Sequence, residues 1–296
     1  MVLLTFSSSK TVDHSVALAC NWNVPPILIG LVLVSIGTDF PEIMNSIISS
    51  SLGQGSINVG ASIGSVLVQL TLVLGIIALS FKHFEVNKQE VFAIGIFTLF
   101  GLLLSFFFLE DGVISRFDGF FLIISWLFFI LIIRTITKKD FSCPLGGKRS
   151  GFNAVIVILG FVGVGVGTYM VINSVLEIAR IFNVSEFIVS FFVASIGTSL
   201  PELAVTLTAL RKRQTELAIG DVMGSSLLDA TISIGIGPLL FPTLVSGGPT
   251  IATWFYLIFG VLIVTLLLSF RGKVDKKVGI ICLGIYLLSY SLLFLS

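Results

Sequence analysis

Charge is scarce in this chain. Of its 296 residues only 11% are charged and 55% are hydrophobic, with a mean hydropathy of +1.10. A soluble domain carries about 25% charged residues, so water is not the main solvent for this surface. The 17 Lys and Arg nearly cancel the 16 Asp and Glu, which gives no ground for a nucleic-acid partner. Cysteine and histidine are also few. Cys20, Cys143, Cys282, His14 and His83 are scattered without pairing or ligand spacing, so neither a disulfide framework nor a zinc site is expected. No basic stretch or cleavage-site pattern accompanies the apolar residues 1–9, which are read as part of a first helix rather than a removable signal. The chain offers no Ser/His pair, no HExxH and no Gly-x-Ser-x-Gly, so no enzymatic activity and no cofactor are expected.

What the chain has in abundance is long apolar runs. A bilayer crossing takes roughly 20 such residues, and hydropathy predicts ten spans, at 1–20, 24–51, 57–80, 90–109, 117–136, 152–180, 184–210, 215–241, 249–270 and 277–296. The first is the weakest, being interrupted by Lys10, Asp13 and His14. Most of the basic residues fall in the loops after the third, fifth, seventh and ninth spans, including Lys82 and Lys88, Lys138 to Arg149, Arg211 to Arg213, and Arg271 to Lys277. The positive-inside rule puts those loops in the cytoplasm and both termini outside. The expected fold is therefore an all-α, multi-pass protein of the cell membrane, embedded in lipid.

The sequence also repeats itself. Gly37-Thr38-Asp39-Phe40-Pro41-Glu42 recurs 160 residues later as Gly197-Thr198-Ser199-Leu200-Pro201-Glu202. The same offset aligns Asn23-Val24 with Asn183-Val184, Ser35-Ile36 with Ser195-Ile196, Gly60 with Gly220, Gly64-Ser65 with Gly224-Ser225, and Gln69 with Asp229. Two five-span halves are predicted, 1–136 and 152–296, joined by a cytoplasmic connecting loop at 137–151. Five is odd, so the second half is inverted relative to the first. This is the construction of secondary transporters, which bind substrate near the bilayer midplane. Met1 aligns with Phe161, so the first span is either shorter than its mate or cut short.

Gly and Pro inside an apolar span weaken its helix, since Pro41 and Pro201 cannot bond the carbonyls of Gly37 and Gly197. Unwinding at these glycines is expected to turn the carbonyls of Ser35, Ile36, Ser195 and Ile196 inward. Glu42 and Glu202 stand beside them, and a carboxylate at that depth needs a partner or a bound cation. Calcium takes about six to eight oxygens from carboxylates, carbonyls, hydroxyls and water. Thr38, Asp39, Glu42, Ser65 and Gln69 of one half and Thr198, Ser199, Glu202, Ser225 and Asp229 of the other supply that chemistry. Gly60, Gly64, Gly220 and Gly224 are read as close-packing residues, Ser46 and Thr206 as bonded back to their own helices, Asp221 as solvated, and the many Phe residues as lipid-facing surface.

These motifs resemble the calcium/cation antiporter superfamily, and within it the prokaryotic sodium/calcium exchangers. The likeness is most specific at Gly197 to Glu202 and at Gly220-Asp221-Val222-Met223-Gly224-Ser225-Ser226-Leu227-Leu228-Asp229. It implies ion coordination by Thr198, Ser199, Glu202, Ser225 and Asp229 with the Ser195 carbonyl, and by Thr38, Glu42, Ser65 and the Ser35 carbonyl. Two positions depart from the family pattern: Asp39 stands where a small hydroxyl residue is usual, and Gln69 where an Asn is usual. The implied activity is exchange of Ca2+ for Na+ by alternating access, by a monomer. A proton- or potassium-coupled exchanger is the alternative, and a cation channel the reading furthest from these motifs.

Overall fold

The computed structural model describes residues 2–137, 153–163, 166, 195–245 and 251–295. It is helical almost throughout, as the apolar runs predict. The helices are α1 (Val2–Trp22), α2 (Pro26–Thr38), α3 (Phe40–Ser51), α4 (Gly55–Ser80), α5 (Lys88–Phe108), α6 (Arg116–Ile136), α7 (Asn153–Gly163), α8 (Ser195–Thr198), α9 (Leu200–Arg211), α10 (Thr215–Leu240), α11 (Ile251–Arg271) and α12 (Lys276–Leu295). Among the described residues α4, α5, α6, α10 and α11 are each long and apolar enough to cross a membrane, and α2 with α3 forms a sixth, broken span. Each of the ten predicted spans contains described helix; most of the sixth, the start of the seventh and the connecting loop beyond Thr137 lie outside the described residues.

The repeat is written in the backbone as well as the sequence. Helix α3 ends on Gly53 in the left-handed region (φ 71°), and α9 ends on Arg213 at its equivalent (φ 61°). Both stops carry the same pair of bonds, Gly53 N to Ser50 O with Gln54 N to Ser49 O, and Arg213 N to Leu210 O with Gln214 N to Ala209 O. That pattern satisfies carbonyls left open at a helix C-terminus. Gly112 and Gly272, also repeat mates, share positive φ of 74° and 64°. After them Ser115 and Asp275 begin the next helices as equivalent caps: Ser115 Oγ accepts from Asp118 N at 3.3 Å, and Asp275 Oδ1 from Val278 N at 3.1 Å.

Four short strands extend the pattern. Strand β1 (His83–Glu85) pairs antiparallel with β4 (Lys273–Asp275), and β2 (Val113–Ile114) with β3 (Thr243–Leu244). Shifting β1 by 160 residues gives β3, and shifting β2 gives β4, so the repeat converts one pair into the other to within one residue of register. β1 and β4 follow α4 and α11, whereas β2 and β3 follow α5 and α10. The two ribbons thus close opposite ends of the bundle, as an inverted repeat requires.

Packing gathers the chain into two compact units that do not follow the sequence halves. One comprises Met1–Asp39 and Thr137–Ser225, the other Phe40–Ile136 and Ser226–Ser296. In the first, α2 crosses α10 with little between the backbones: a Cβ on Gly30 would meet Leu217 O at 2.4 Å, one on Gly220 would meet Ile27 O at 2.3 Å, and one on Gly224 would meet Leu31 Cα at 2.6 Å. The packing role expected of Gly220 and Gly224 is thereby borne out. Gly60 differs, with no described atom within 4 Å of its Cβ position. In the second unit α5 packs on α11, α6 on the end of α10, and α4 on α12. Phe100, Phe107, Phe117, Phe121, Phe128, Phe255, Phe259 and Phe270 are exposed on the outer helices, as a lipid-facing surface should be.

Candidate functional site

The break in each motif falls two residues later than the glycines suggest. Ser35–Thr38 and Ser195–Thr198 remain helical, and the interruptions sit at Asp39 and Ser199, before the helices restart at Phe40 and Leu200. The Ser35 carbonyl accepts from Asp39 N at 2.8 Å, and that of Ser195 from Ser199 N at 3.2 Å. The expected unwinding at Gly37 and Gly197 therefore does not occur. Pro41 and Pro201 lie in the first turn of the following helix, where a missing N–H costs nothing, so each proline starts a helix instead of breaking one.

In the first unit the polar side chains of the motif converge on Asp221. This residue has no exposed surface, which overturns its reading as a solvated group. Thr206 Oγ1 donates to Asp221 Oδ2 at 2.8 Å, and Thr38 Oγ1 lies 3.4 Å from Oδ1. Thr206 thus bonds across to α10, not back to its own helix. Thr38 Oγ1 also lies 3.1 Å from Val34 O and 3.2 Å from Ser35 O. Glu202 has no exposed surface and interacts with the side chains of Asp39 and Thr38. Ser35 Oγ donates to Leu31 O at 2.6 Å. Thr198 Oγ1 lies 3.3 Å from Ser195 O.

In the second unit the centre is Asp229. Both α4 and α10 loosen into a π-helical turn, at Val68–Val73 and Asp229–Ser233, in matching positions of the repeat. Such turns insert a residue and redirect side chains, and they recur at functional sites. They place Gln69 and Asp229 face to face, with Gln69 Nε2 donating to Asp229 Oδ2 at 2.9 Å. Ser226 Oγ donates to Gln69 Oε1 at 3.0 Å and Ser233 Oγ to Asp229 Oδ1 at 2.7 Å. A carboxylate oxygen of Glu42 lies within 4.8 Å of one of Asp229. The carbonyls of Ala230 and Ile234, beside the π turn, receive Ser105 Oγ at 2.9 Å and Asn58 Nδ2 at 3.1 Å. Ser46, expected to bond back to its helix, instead accepts from Gly237 N at 3.0 Å.

Three of the predicted hydroxyl ligands share a further property. Ser65, Ser199 and Ser225 each bury an Oγ that has no hydrogen-bond partner among the described residues. Buried hydroxyls are nearly always satisfied, so oxygens left open at the repeat mates Ser65 and Ser225 and at Ser199 suit a hard cation. Among the described residues the ion pairs are Lys212–Asp13 and Arg271–Asp275, and neither involves Glu202 or Asp221. Sequence reasoning missed Asp221, Ser226 and Ser233. Their repeat mates are Ala61, Val66 and Val73, so a search for duplicated polar residues passes over them. Elsewhere, Cys282 is a buried free thiol and Cys20 is disulfide-bonded, which the cysteine spacing did not foretell.

The profile of the family described as "Sodium/calcium exchanger protein" matches residues 1–134 and 152–295. The chain belongs to this family. Its members are transporters rather than enzymes, so the ions are cargo and no cofactor is involved. The family match makes the chain a multi-pass membrane protein and a cation antiporter. Among solved structures it is similar to the sodium-calcium exchanger NCX_Mj, with a TM-score of 0.80 at 26% identity, covering 98% of this chain and 94% of that one. The two chains thus superpose over nearly their whole length. Among curated proteins the chain is 29% identical to inner membrane protein YrbG of Escherichia coli, over 82% of this chain and 78% of that protein. It is 23% identical to sodium/calcium exchanger MaX1 of Methanosarcina acetivorans, over 99% and 96%.

Proposed function

We propose that this antiporter exchanges Ca2+ for Na+ at a midplane site built from the duplicated motifs. Its ligands in this reading are Thr38, Asp39, Glu42, Ser65, Gln69 and the Ser35 carbonyl from the first repeat, with Thr198, Ser199, Glu202, Ser225, Asp229 and the Ser195 carbonyl from the second. The observation that carries it is the set of buried hydroxyls at Ser65, Ser199 and Ser225 that have no hydrogen-bond partner among the described residues, together with the burial of Glu42, Glu202 and Asp229 inside apolar spans. An ion neutralises those carboxylates, and only a neutralised site closes off from water cheaply. Each filled form then rearranges between outward-facing and inward-facing states, so the ions cross in opposite directions.

The protein acts as a monomer with both termini outside. Charge supports that orientation: the β1–β4 end carries Lys82, Lys88, Arg271, Lys273, Lys276 and Lys277, whereas Glu110, Asp111 and Asp118 cluster before and after β2. Asp39 favours one second reading, in which a proton or K+ accompanies the exchange to balance the added carboxylate. The deciding experiment is 45Ca2+ uptake into proteoliposomes under imposed Na+, K+ or proton gradients. Uptake driven by outward Na+ supports the proposal; uptake driven only by a proton gradient replaces it.

A further inference from the structure

Resting on that reading, we propose that Ser105 and Asn58 are positioning residues of the exchanger, which hold the π-helical turn of α10 in place and so fix the direction of the Asp229 carboxylate. Both are wholly buried, Ser105 on α5 and Asn58 on α4, and neither belongs to the duplicated motifs. A π-helical turn takes each N–H to the carbonyl five residues back instead of four, which disturbs the ladder where it begins and ends. Ser105 Oγ donates to Ala230 O at 2.9 Å, inside the turn. Helix α5 comes this close because Gly101, one turn earlier, has no side chain: a Cβ there would meet Thr231 Cγ2 at 2.7 Å and Ala230 Cβ at 3.3 Å. Just beyond the turn, Pro238 lies inside the helix and has no N–H for the carbonyl four residues back, that of Ile234. Asn58 Nδ2 takes that place at 3.1 Å.

The two bonds bracket the turn, one at its second residue and the other just past its end. Asp229 is its first residue, with its carboxylate held by Gln69 and Ser233. Were the turn to relax to an α-helix, one residue would leave it, and Asp229 would rotate by about 100° relative to the helix beyond. The two braces oppose that slip, because it carries Ala230 O and Ile234 O away from the donors that now reach them. The first repeat has no equivalent of the proline brace. Ala78 stands there for Pro238 and keeps its N–H, and the mate of Asn58 is Ala218, which has nothing to donate. The device is therefore confined to the half that carries Asp229.

The test is equilibrium binding of 45Ca2+ to the purified full-length protein, with the thermal midpoint measured on the same samples. Ser105→Ala and Asn58→Leu are each expected to weaken calcium binding about tenfold. Thr98→Val is the control: it removes an equally buried hydroxyl from α5, one that bonds Ile94 O of its own helix at 3.0 Å, and should move the thermal midpoint without moving the affinity. Pro238→Ala supplies the decisive comparison, because it restores the N–H that Ile234 O lacks. In that background Asn58→Leu should change the affinity by less than about twofold, since the two substitutions act on one carbonyl. Wild-type affinity in either single variant overturns the proposal, as does a loss in Asn58→Leu that Pro238→Ala leaves in full. Should Asn58→Leu fail to elute as a monodisperse species, Ser105→Ala against Thr98→Val decides alone. Wild type that binds no 45Ca2+ defeats the exchange reading itself, which is distinct from wild type binding it and the variants matching.

Discussion

Gln69 and Asp229 are repeat mates that bond to each other, Gln69 Nε2 donating to Asp229 Oδ2 at 2.9 Å from equivalent π-helical turns. The amide thereby holds one oxygen of Asp229 while Ser233 holds the other. Shortening Gln69 to Asn withdraws the donor and frees Oδ2 for an ion. Gln69→Asn is expected to tighten 45Ca2+ binding several-fold; unchanged binding would show that Asp229 is not a ligand. Gln69→Ala removes the bonds that the amide makes to Asp229 and Ser226, at about 1–3 kcal/mol each, and should lower the thermal midpoint.

Glu42 and Glu202 are buried in equivalent positions. Replacing either by Gln keeps its volume and removes the charge that neutralises a divalent ion. Calcium exchange in proteoliposomes should fall at least about a hundredfold, the loss of roughly 3 kcal/mol of binding, with the protein still monodisperse. Wild-type flux in either variant removes that glutamate from the site.

Asp39 stands opposite Ser199 in the repeat and is wholly buried. Its charge adds to those of Glu42, Glu202 and Asp229, and neighbouring carboxylates resist ionising together. The Asp39→Ser variant should therefore exchange calcium with a changed dependence on pH, Na+ or K+. Identical profiles on all three axes would make Asp39 a purely structural residue.

The two left-handed helix stops give a matched pair of stability predictions. Arg213→Gly relieves a side chain held at φ 61°, and Gly53→Ala imposes one at φ 71°. The first should stabilise and the second destabilise by about 1 kcal/mol, read as opposite shifts in thermal midpoint. Shifts of the same sign would show that contacts of the Arg213 side chain outweigh its backbone strain.

The orientation is open to labelling. In a cysteine-free background, single cysteines at Lys212 and Lys273 should resist a membrane-impermeant maleimide added to intact cells, while one at Asp111 reacts. Reaction at the first two sites alone would invert the topology.

Sequence alone determined the helical membrane class, because only long apolar helices satisfy their backbone in lipid, and it determined the repeat, because the 160-residue offset survives in residue identity. Glu42, Glu202 and Asp229 were legible for the same reason: an acid inside an apolar run has no bland explanation. Only the tertiary structure decided what those acids face. The π-helical turns, at matching positions of the repeat, set Gln69 against Asp229. Asp221 looks like the polar start of a helix until the glycine contacts of α2 and α10 bury it against Thr38. The helix breaks likewise moved from Gly37 and Gly197 to Asp39 and Ser199, since a proline at the start of a helix loses no bond, and a sequence shows that a proline is present before it shows which helix the proline belongs to.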